Sequence, residues 1–267
     1  MKYLLLLGAN QFQRERALVG AEKAYDGPVV ILNQNGISIP NNNAFFSINV
    51  ASECSLENVL HEVLDFNKKY NATTEYIVPV NDFVLETSLY LSQNLQCNTN
   101  SVNTIKICRF KDLMKETLHK AGIPVVRSVK VNSFPFLKEQ AKEIGYPVVI
   151  KPINFGGSGG VIKVENEQEL LEKYNETMKH LSLYAHKFNS SSDEIAVEKY
   201  INIKDEYSVE VINTKTSRKI IGITKKFLTQ EPYFAEIGHM VPAEISRNTS
   251  VAFKVSEIAM SACSALG

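Results

Sequence analysis

The sequence predicts an α/β domain with a doubly wound, mostly parallel sheet, followed by an α+β region with antiparallel sheets. In the first part of the chain, short apolar runs alternate with longer segments of helical periodicity, which is typical of a parallel sheet covered by helices. Further along, short β-branched strands follow one another with less helix between them. The length of 267 residues also exceeds what one small core usually holds. We therefore expect a first domain over residues 1–104 and a second region over residues 105–267.

The first part of the chain is predicted to alternate strands and helices. Strands are expected where Leu, Ile, Val, Phe and Tyr are concentrated, at residues 2–7, 29–32, 45–50 and 76–80. Helices are expected at residues 11–25, 55–70 and 83–94. Gly8 follows the first strand, where open α/β sheets place ligands, but the sequence there lacks a Gly-x-Gly-x-x-Gly fingerprint. We interpret Gly8 as a tight turn, with a nucleotide contact as the alternative.

The second part is predicted to combine helices with paired strands. Helices are expected at residues 110–120, 134–144, 167–181 and 250–266. The first of these is closed by Gly122 and Pro124, which is a helix stop signal. Strands are expected at residues 125–131, 147–151, 161–164, 195–201, 206–213 and 218–224. Pro232, Gly238 and Pro242 predict an irregular crossing segment after the last strand.

Composition and charge exclude several classes of protein. Twenty-nine basic residues balance twenty-nine acidic ones, so the net charge gives no reason to expect nucleic acid as a partner. No apolar segment approaches the length of about 20 residues that a membrane span needs. The four cysteines are scattered without a Cys-x-x-Cys pair, which argues against a disulfide framework or a zinc site. These observations favour a cytoplasmic enzyme.

A glycine-rich turn, residues 156–160, lies between two predicted strands in the sequence YPVVIKPINFGGSGGVIKV of residues 146–164. In a P-loop, a comparable turn joins a strand to a helix and ends in Gly-Lys-Ser/Thr. Here no helical pattern begins at Gly160, and the nearest suitable lysine, Lys151, lies before the turn. A glycine run alone favours a flexible loop. Together with Lys151 and the flanking strands, it favours a flap that covers phosphate groups with N–H donors.

Charged residues interrupt the apolar strands around this turn, and a charge near a sheet is costly unless it is paired or functional. Lys111 and Lys151 could neutralise phosphate oxygens, and a carboxylate such as Glu206 could accept hydrogen bonds from ribose hydroxyls. Backbone groups of residues 199–201 could pair with an adenine edge. Taken alone, Lys111 would be a solvated helix lysine, and Glu206 is as easily a surface charge. We expect the side chain of Lys151 to be exposed in an empty cleft.

In order and spacing, four stretches resemble the ATP-grasp superfamily over nearly the whole chain. They are RFKDLMKETLHKAGIPVVR at residues 109–127, the glycine-rich stretch at 146–164, VEKYI at 197–201 and DEYSVEVI at 205–212. The resemblance implies ATP held between two α+β ATP-grasp lobes, a small flap lobe at residues 125–201 and an incomplete large lobe beginning at residue 202.

The resemblance also implies a role for each matching residue. Lys111 and Lys151 would be the two phosphate lysines, and Glu206 the ribose carboxylate. The flap would consist of Gly156, Gly157, Ser158, Gly159 and Gly160. The adenine pocket would be formed by Glu198, Lys199, Tyr200 and Ile201.

A later stretch, GITKKFLTQEPYFAEIGHMVPA at residues 222–243, resembles the segment that carboxylate-amine ligases of the L-amino acid ligase kind place beside the acyl acceptor. This resemblance implies that Lys226, Glu236 and His239 lie at the acceptor side as catalytic residues. The carboxylate and the imidazole would orient an amino group and accept its proton. A hydrogen-bonded structural role is an equal alternative for His239.

The resemblance implies an ADP-forming ligase that joins a small carboxylate to an amine, of the amino-acid kind, through an acyl phosphate, with ATP and Mg²⁺ as cofactors. The metal carboxylates of such enzymes, in segments like His-x-Glu and Glu-Ile-Asn-x-Arg, do not occur in this sequence. We therefore expect the metal ligands beyond residue 267 and interpret the chain as an N-terminal part that is inactive alone. The resemblance is also compatible with a homodimer. The alternatives are a bicarbonate-activating enzyme, like biotin carboxylase or carbamoyl phosphate synthetase, and a non-catalytic ATP-binding module.

Overall fold

The computed structural model of the protein describes residues 1–9, 15–34, 45–51, 54–97, 100–185, 193–214 and 216–267. The chain divides into two compact units, Met1–Ile105 and Lys106–Gly267. Among the described helices, none is long and apolar enough to cross a membrane.

The first unit is built on a four-stranded parallel sheet. Its strands are β1 (Lys2–Leu7), β2 (Val29–Gln34), β3 (Phe45–Val50) and β4 (Thr73–Pro79), in the order β3-β2-β1-β4. The central strand β1 is buried on both faces, which explains its uninterrupted apolar sequence. Tyr3 and Leu5 belong to one hydrophobic cluster, and Leu4 and Leu6 belong to another.

Helices cover both faces of this sheet. They are α1 (Glu15–Ala24), α2 (Leu56–Tyr70) and α3 (Leu85–Leu95), with a 3₁₀ helix (Asp82–Val84) directly before α3. Leu18 of α1 packs with the Leu4 cluster, and Val63 of α2 packs with the Tyr3 cluster. Ser55 caps α2, because its side chain accepts a hydrogen bond from the backbone N–H of Asn58. A further helix, α4 (Val102–Arg109), follows α3 in the chain.

The second unit contains a four-stranded antiparallel sheet that carries the glycine-rich turn. Its strands are β5 (Ser128–Val131), β6 (Val148–Pro152), β7 (Ile162–Val164) and β8 (Ile195–Lys199), in the order β5-β8-β6-β7. Two helices pack on it, α6 (Phe134–Ile144) and α7 (Glu167–Tyr184). Leu137 of α6 and Leu170 of α7 share a buried cluster with Val148 and Ile150 of β6.

A second antiparallel sheet follows in the same unit, in the order β11-β10-β9. Its strands are β9 (Glu206–Asn213), β10 (Arg218–Leu228) and β11 (Glu236–Met240). Two helices complete the unit, α5 (Lys111–Lys120) and α8 (Thr249–Leu266), and α8 packs against β9 and β10. Across the strands, Lys226 lies opposite both Glu206 and His239, so these three residues share one face of the sheet.

The predicted fold class is confirmed, since a parallel α/β unit precedes antiparallel sheets. The predicted bounds of the strands 2–7, 45–50 and 206–213 agree with the structure. The expected irregular segment is wrong in part, because residues 236–240 form β11, paired with β10. Helix α4 was not predicted, and the first residues of the predicted helix 11–25 lie outside the described part of the chain.

Candidate functional site

The glycine-rich turn lies between β6 and β7 as predicted, within the loop of residues 153–161 that connects these strands. Backbone φ angles are +57° at Gly157, +57° at Ser158 and +70° at Gly160. Glycine adopts this left-handed region without steric cost, whereas the serine between them does so less readily. A Cβ atom at Gly160 would also lie 3.1 Å from Pro152 Cγ, so a side chain there would crowd the end of β6.

A buried cluster of three charged side chains includes Lys151, on the strand that leads into this turn. Lys115 Nζ is 2.5 Å from Glu198 Oε1, and Lys151 Nζ is 2.8 Å from Glu198 Oε2. Ser128 Oγ donates a third hydrogen bond to Glu198 Oε1 at 3.1 Å. The side chains of Lys115 and Lys151 are each 17% exposed, and that of Glu198 is 8% exposed. Helix α5 and strands β5, β6 and β8 thus place their polar groups around one carboxylate.

The cluster holds one more cation than anion. Burial alone would raise the pKa of Glu198, but the attraction of Lys151 and Lys115 outweighs it and lowers that pKa. Burial, together with repulsion from Lys151, lowers the pKa of Lys115 in spite of its contact with Glu198. The carboxylate is therefore stabilised, whereas the surplus positive charge is not fully compensated within the cluster. An anion at this point would relieve it.

Lys111 contacts the loop that carries the flap and lies outside the Lys115–Glu198–Lys151 cluster. Its ammonium group donates to the carbonyl oxygen of Phe155, and its backbone N–H donates to the carbonyl oxygen of Ile153 at 3.1 Å. The start of α5 is thereby tied to the start of the flap. The expectation that Lys151 is exposed is wrong, because this side chain is mostly buried against Glu198. Contact of either lysine with phosphate stays a prediction.

The residues predicted to form the adenine pocket lie at the end of β8. Lys199 Nζ donates to the carbonyl oxygen of Gly145 at 2.7 Å, which ties β8 to the end of α6. The backbone N–H groups of Lys199 and Tyr200 donate to Arg127 and Pro147 carbonyls. Ile201 follows the strand and is 50% exposed. Among the four residues predicted for the adenine pocket, only Glu198 contributes its side chain to the cluster with Lys115 and Lys151.

A second polar group lies on one face of the β11-β10-β9 sheet. Lys226 Nζ is 2.7 Å from Glu236 Oε1 and 3.3 Å from Glu206 Oε1. His239 Nε2 is 3.2 Å from Glu236 Oε2. The structure thus joins Glu206, predicted as a ribose ligand, to the three residues predicted at the acceptor side.

The electrostatics of this second group favour a charged lysine and a charged carboxylate. Burial would lower the pKa of Lys226, but its contacts with Glu236 and Glu206 outweigh burial and raise it. The hydrogen bond from Lys226 lowers the pKa of Glu236 against the opposing effect of burial. A carboxylate with a lowered pKa is a weak base. Glu236 is therefore suited to orienting the imidazole of His239 or a cationic group.

A cleft of about 660 Å³ opens between the end of β8 and this sheet. Its volume lies within the usual range of small-molecule sites. Tyr200, Glu206 and Lys226, which were predicted as site residues, line it together with Ile203, Phe227 and Phe234. The cleft combines an apolar wall with a carboxylate and an ammonium group, which suits a ligand with a flat apolar ring and polar substituents.

The loop between β10 and β11, residues 229–235, contacts the flap-bearing sheet, and we name it the clasp. Lys163 of β7 donates its backbone N–H to Pro232 at 3.0 Å, and its ammonium group lies 2.6 Å from Glu231 Oε2. Tyr200 Oη donates to Glu231 as well. Tyr233 Oη donates to Glu176 of α7 at 2.7 Å. The clasp therefore links the two sheets beside the cleft.

The described residues do not form a magnesium site. No group of three His, Cys, Asp or Glu side chains there is arranged to hold a metal ion. The carboxylates nearest the candidate site, Glu198, Glu206 and Glu236, are each within 3.3 Å of a lysine ammonium group. Mg²⁺ prefers several oxygen ligands at once. The expectation of Mg²⁺ therefore rests on the resemblance alone.

Sequence reasoning missed Lys115 and the clasp. Lys115 lies one helical turn after Lys111, so the two are on the same face of α5, and this spacing could have indicated it. Glu231 and Tyr233 carry no comparable signal, because their partners Lys163 and Glu176 lie more than 50 residues away in the chain.

Comparison with known proteins gives a family match. The family model for the ATP-grasp domain matches residues 144–265. The carbamoyl phosphate synthase large chain of Thermotoga sp. (strain RQ2) is 46% identical over 70 residues, which are 26% of this chain and 6% of that protein. A D-alanine–D-alanine ligase of Halalkalibacterium halodurans is 31% identical over 149 residues, which are 55% of this chain and 47% of that protein. The chain thus covers less than half the length of either relative.

Solved structures show the same fold. The L-amino acid ligase from Bacillus licheniformis superimposes with a TM-score of 0.74 at 18% identity, covering 100% of this chain and 60% of that structure. At such identity the likeness concerns the fold alone. Together with the domain match, the flap between β6 and β7, and the two antiparallel sheets, it shows that residues 144–265 match an ATP-grasp domain and that the chain has the ATP-grasp fold.

Proposed function

We propose that the chain is part of an ATP-dependent, ADP-forming ligase that activates a carboxylate as an acyl phosphate and joins it to an amine. The observation that carries this proposal is the buried Lys115–Glu198–Lys151 cluster, whose surplus positive charge includes Lys151 on the strand that leads into the flap. The likeness to D-alanine–D-alanine ligase and L-amino acid ligase supports the amine-joining reaction.

Binding of ATP would use groups that are already in place. The cleft beside Tyr200 would take the adenine and ribose, with Glu206 accepting from ribose hydroxyls. Lys111, Lys151 and the flap at residues 156–160 would neutralise and cover the phosphates. Such chemistry depends on positioning and charge neutralisation rather than on a protein nucleophile.

The reaction would then proceed in two steps. A carboxylate oxygen of the first substrate attacks the γ-phosphorus of ATP, and the bond to ADP breaks. The amine nitrogen attacks the acyl carbon, phosphate leaves, and the amine gives up a proton. His239 is the better proton acceptor of the acceptor group, because Lys226 holds the pKa of Glu236 down. Glu236, 3.2 Å from His239, would orient the imidazole.

A bicarbonate-activating enzyme is the second candidate, supported by the identity with the carbamoyl phosphate synthase large chain. The two candidates share ATP binding and acyl phosphate formation and differ in the carboxylate that is phosphorylated. Release of ADP that requires both an amino acid and an amine supports the first candidate. Release of ADP that requires bicarbonate instead supports the second, and ATP binding without any turnover in the complete protein supports a binding module.

The ATP site is tested by Lys151→Ala, with Lys120→Ala as the control. Lys120 belongs to α5 and is 72% exposed, so its removal should leave the site unchanged. Loss of a charge-assisted phosphate contact costs about 1.5–3 kcal/mol, so ATP should bind roughly ten- to a hundredfold more weakly to Lys151→Ala. Isothermal titration calorimetry measures this. Equal ATP affinity of both variants would exclude Lys151 from the site.

A further inference from the structure

We propose that Lys115 is a positioning residue, which keeps Glu198 paired while Lys151 turns from Glu198 to the phosphate groups of a bound nucleotide. The inference rests on the proposed function, and it concerns a residue that does not itself touch the nucleotide. It explains why one buried carboxylate is contacted by two lysines rather than one.

The partners of Glu198 contact different oxygens of its carboxylate. Lys115 and Ser128 share Oε1, at 2.5 and 3.1 Å, whereas Lys151 alone contacts Oε2, at 2.8 Å. Lys151 can therefore leave without disturbing the contacts on the other oxygen. Lys115 and Ser128 would remain, and one cation with one hydroxyl donor suffices to compensate a single carboxylate.

Without Lys115, movement of Lys151 away from Glu198 would leave the carboxylate without a cation. Glu198 would have Lys151 as its one cation among the contacts described for it, and the carboxylate is 8% exposed. Taking that cation away would leave a buried charge without a counter-charge, which is strongly unfavourable. Lys151 would then stay on Glu198, and phosphate groups would have to compete for it. ATP binding would weaken although no contact with ATP had been removed.

The charges on the described cluster agree with this role. With both lysines protonated, the cluster carries one positive charge in excess, and burial and repulsion from Lys151 lower the pKa of Lys115. The repulsion ends when Lys151 moves towards an anion. Helix α5 also supports the arrangement, because Lys111, one turn before Lys115, is tied to Phe155 at the flap.

The experiment compares ATP with adenosine, since adenosine occupies the base and ribose positions but has no phosphates. Affinities are measured by displacement of a fluorescent ATP analogue from the complete protein, as wild type and as Lys115→Met, Lys115→Arg, Glu198→Gln and Lys115→Met/Glu198→Gln. Lys115→Met should bind ATP about tenfold more weakly, while its adenosine affinity changes less than about twofold. Lys115→Arg keeps the cation and should restore ATP affinity.

The Glu198→Gln background provides the decisive comparison. With the carboxylate removed, Lys151 has no anion to hold it, so Lys115→Met should change ATP affinity by less than about twofold there. This double variant leaves no buried carboxylate without a cation, so it can still be compared with Glu198→Gln if Lys115→Met alone does not fold.

Three results would overturn the inference. An equal loss of ATP and adenosine affinity in Lys115→Met would show a structural role. A persistent ATP-specific loss in the Glu198→Gln background would show that Lys115 contacts phosphate itself. A complete wild-type protein that binds no ATP would refute the proposed function as a whole, which is distinguishable from the other two results because every variant would then behave alike.

Discussion

Burying a carboxylate is unfavourable unless cations and hydrogen-bond donors compensate it, and Glu198 obtains both from three different elements. Lys115 comes from α5, Lys151 from β6 and Ser128 from β5. Through these contacts Glu198 links α5 to the β5-β8-β6-β7 sheet. The proposed phosphate site therefore coincides with a cluster that joins three elements of the fold.

We predict that the free energy of unfolding falls at acid pH because Glu198 becomes protonated. The lysines hold its folded-state pKa below the ordinary value of 4.5, so its stabilising contribution is complete above that pH and is lost as pH falls towards the folded-state pKa. Glu198→Gln should be less stable than wild type near pH 7, and the difference should shrink below pH 4.5. Urea unfolding between pH 3 and 7 measures this, and a difference that stays constant over the range would refute it.

A second residue-scale prediction concerns His239. If the imidazole accepts the proton of the attacking amine, then His239→Ala in the complete enzyme should lower amine-dependent ADP formation about 100-fold or more and leave ATP affinity unchanged. The matched control is His119→Ala, on the surface of α5 and outside the acceptor group. Steady-state kinetics and calorimetry separate the two effects. Loss of ATP binding with an unchanged amine constant would make His239 a nucleotide or core residue.

Side-chain partners were the part of the site that sequence reasoning could least predict. Lys151 was identified from its position before the glycines, but its burial depends on Glu198, 47 residues away in the chain. Cross-sheet contacts of this kind are set by strand order, and a strand's own sequence does not specify its neighbours. The contact of Lys115 with Glu198 depends on tertiary structure in the same way, because Glu198 belongs to β8, which lies between β5 and β6.

At the scale of elements, sequence patterns predicted the strands and turns whose formation depends on neighbouring residues. The apolar run of β1 and the β6–β7 hairpin follow from nearby residues and are confirmed, and the start of α7 is likewise set locally, by the cap of Asn166. Strand β11 is different, because Gly238 weakens a strand signal. In the structure, β11 is held by pairing with β10, and Phe227 lies opposite Gly238. Tertiary pairing therefore overrides the local preference of residues 236–240.

The clasp leads to a prediction about how the two sheets are coupled. Glu231→Gln removes the negative charge that reaches from the clasp to Lys163, and it should lower the free energy of unfolding by about 1 kcal/mol. Glu165→Gln is the matched control, since Glu165 lies 2.7 Å from the same lysine but belongs to the flap-bearing part of the chain.

Limited proteolysis separates coupling from simple stability. Glu231→Gln should increase cleavage within residues 229–235, whereas Glu165→Gln should leave that cleavage at the wild-type rate. Equal cleavage of the two variants would show that the ion pairs of Lys163 stabilise the structure without linking the sheets.

At the scale of the whole molecule, attraction for a nucleotide must be local. The chain has equal numbers of basic and acidic residues, so no general field draws ATP towards it. Within the described residues of the second unit, positive charge accumulates where Lys115 and Lys151 share one carboxylate. The affinity for ATP should consequently depend on this cluster and not on the exposed lysines elsewhere.

This locality can be tested through thermal stability, because a ligand that binds only the folded state raises the unfolding temperature. At an ATP concentration about 100 times the dissociation constant, binding stabilises by about 2.7 kcal/mol, which for a protein of this size corresponds to a rise of roughly 5–10 °C. At that same concentration, Lys151→Ala should show a much smaller rise, and Lys120→Ala the full one. Hydrogen exchange should show the protection by ATP within 106–267. Protection confined to residues 1–105, or equal shifts in both variants, would move the nucleotide away from the Lys115–Glu198–Lys151 cluster.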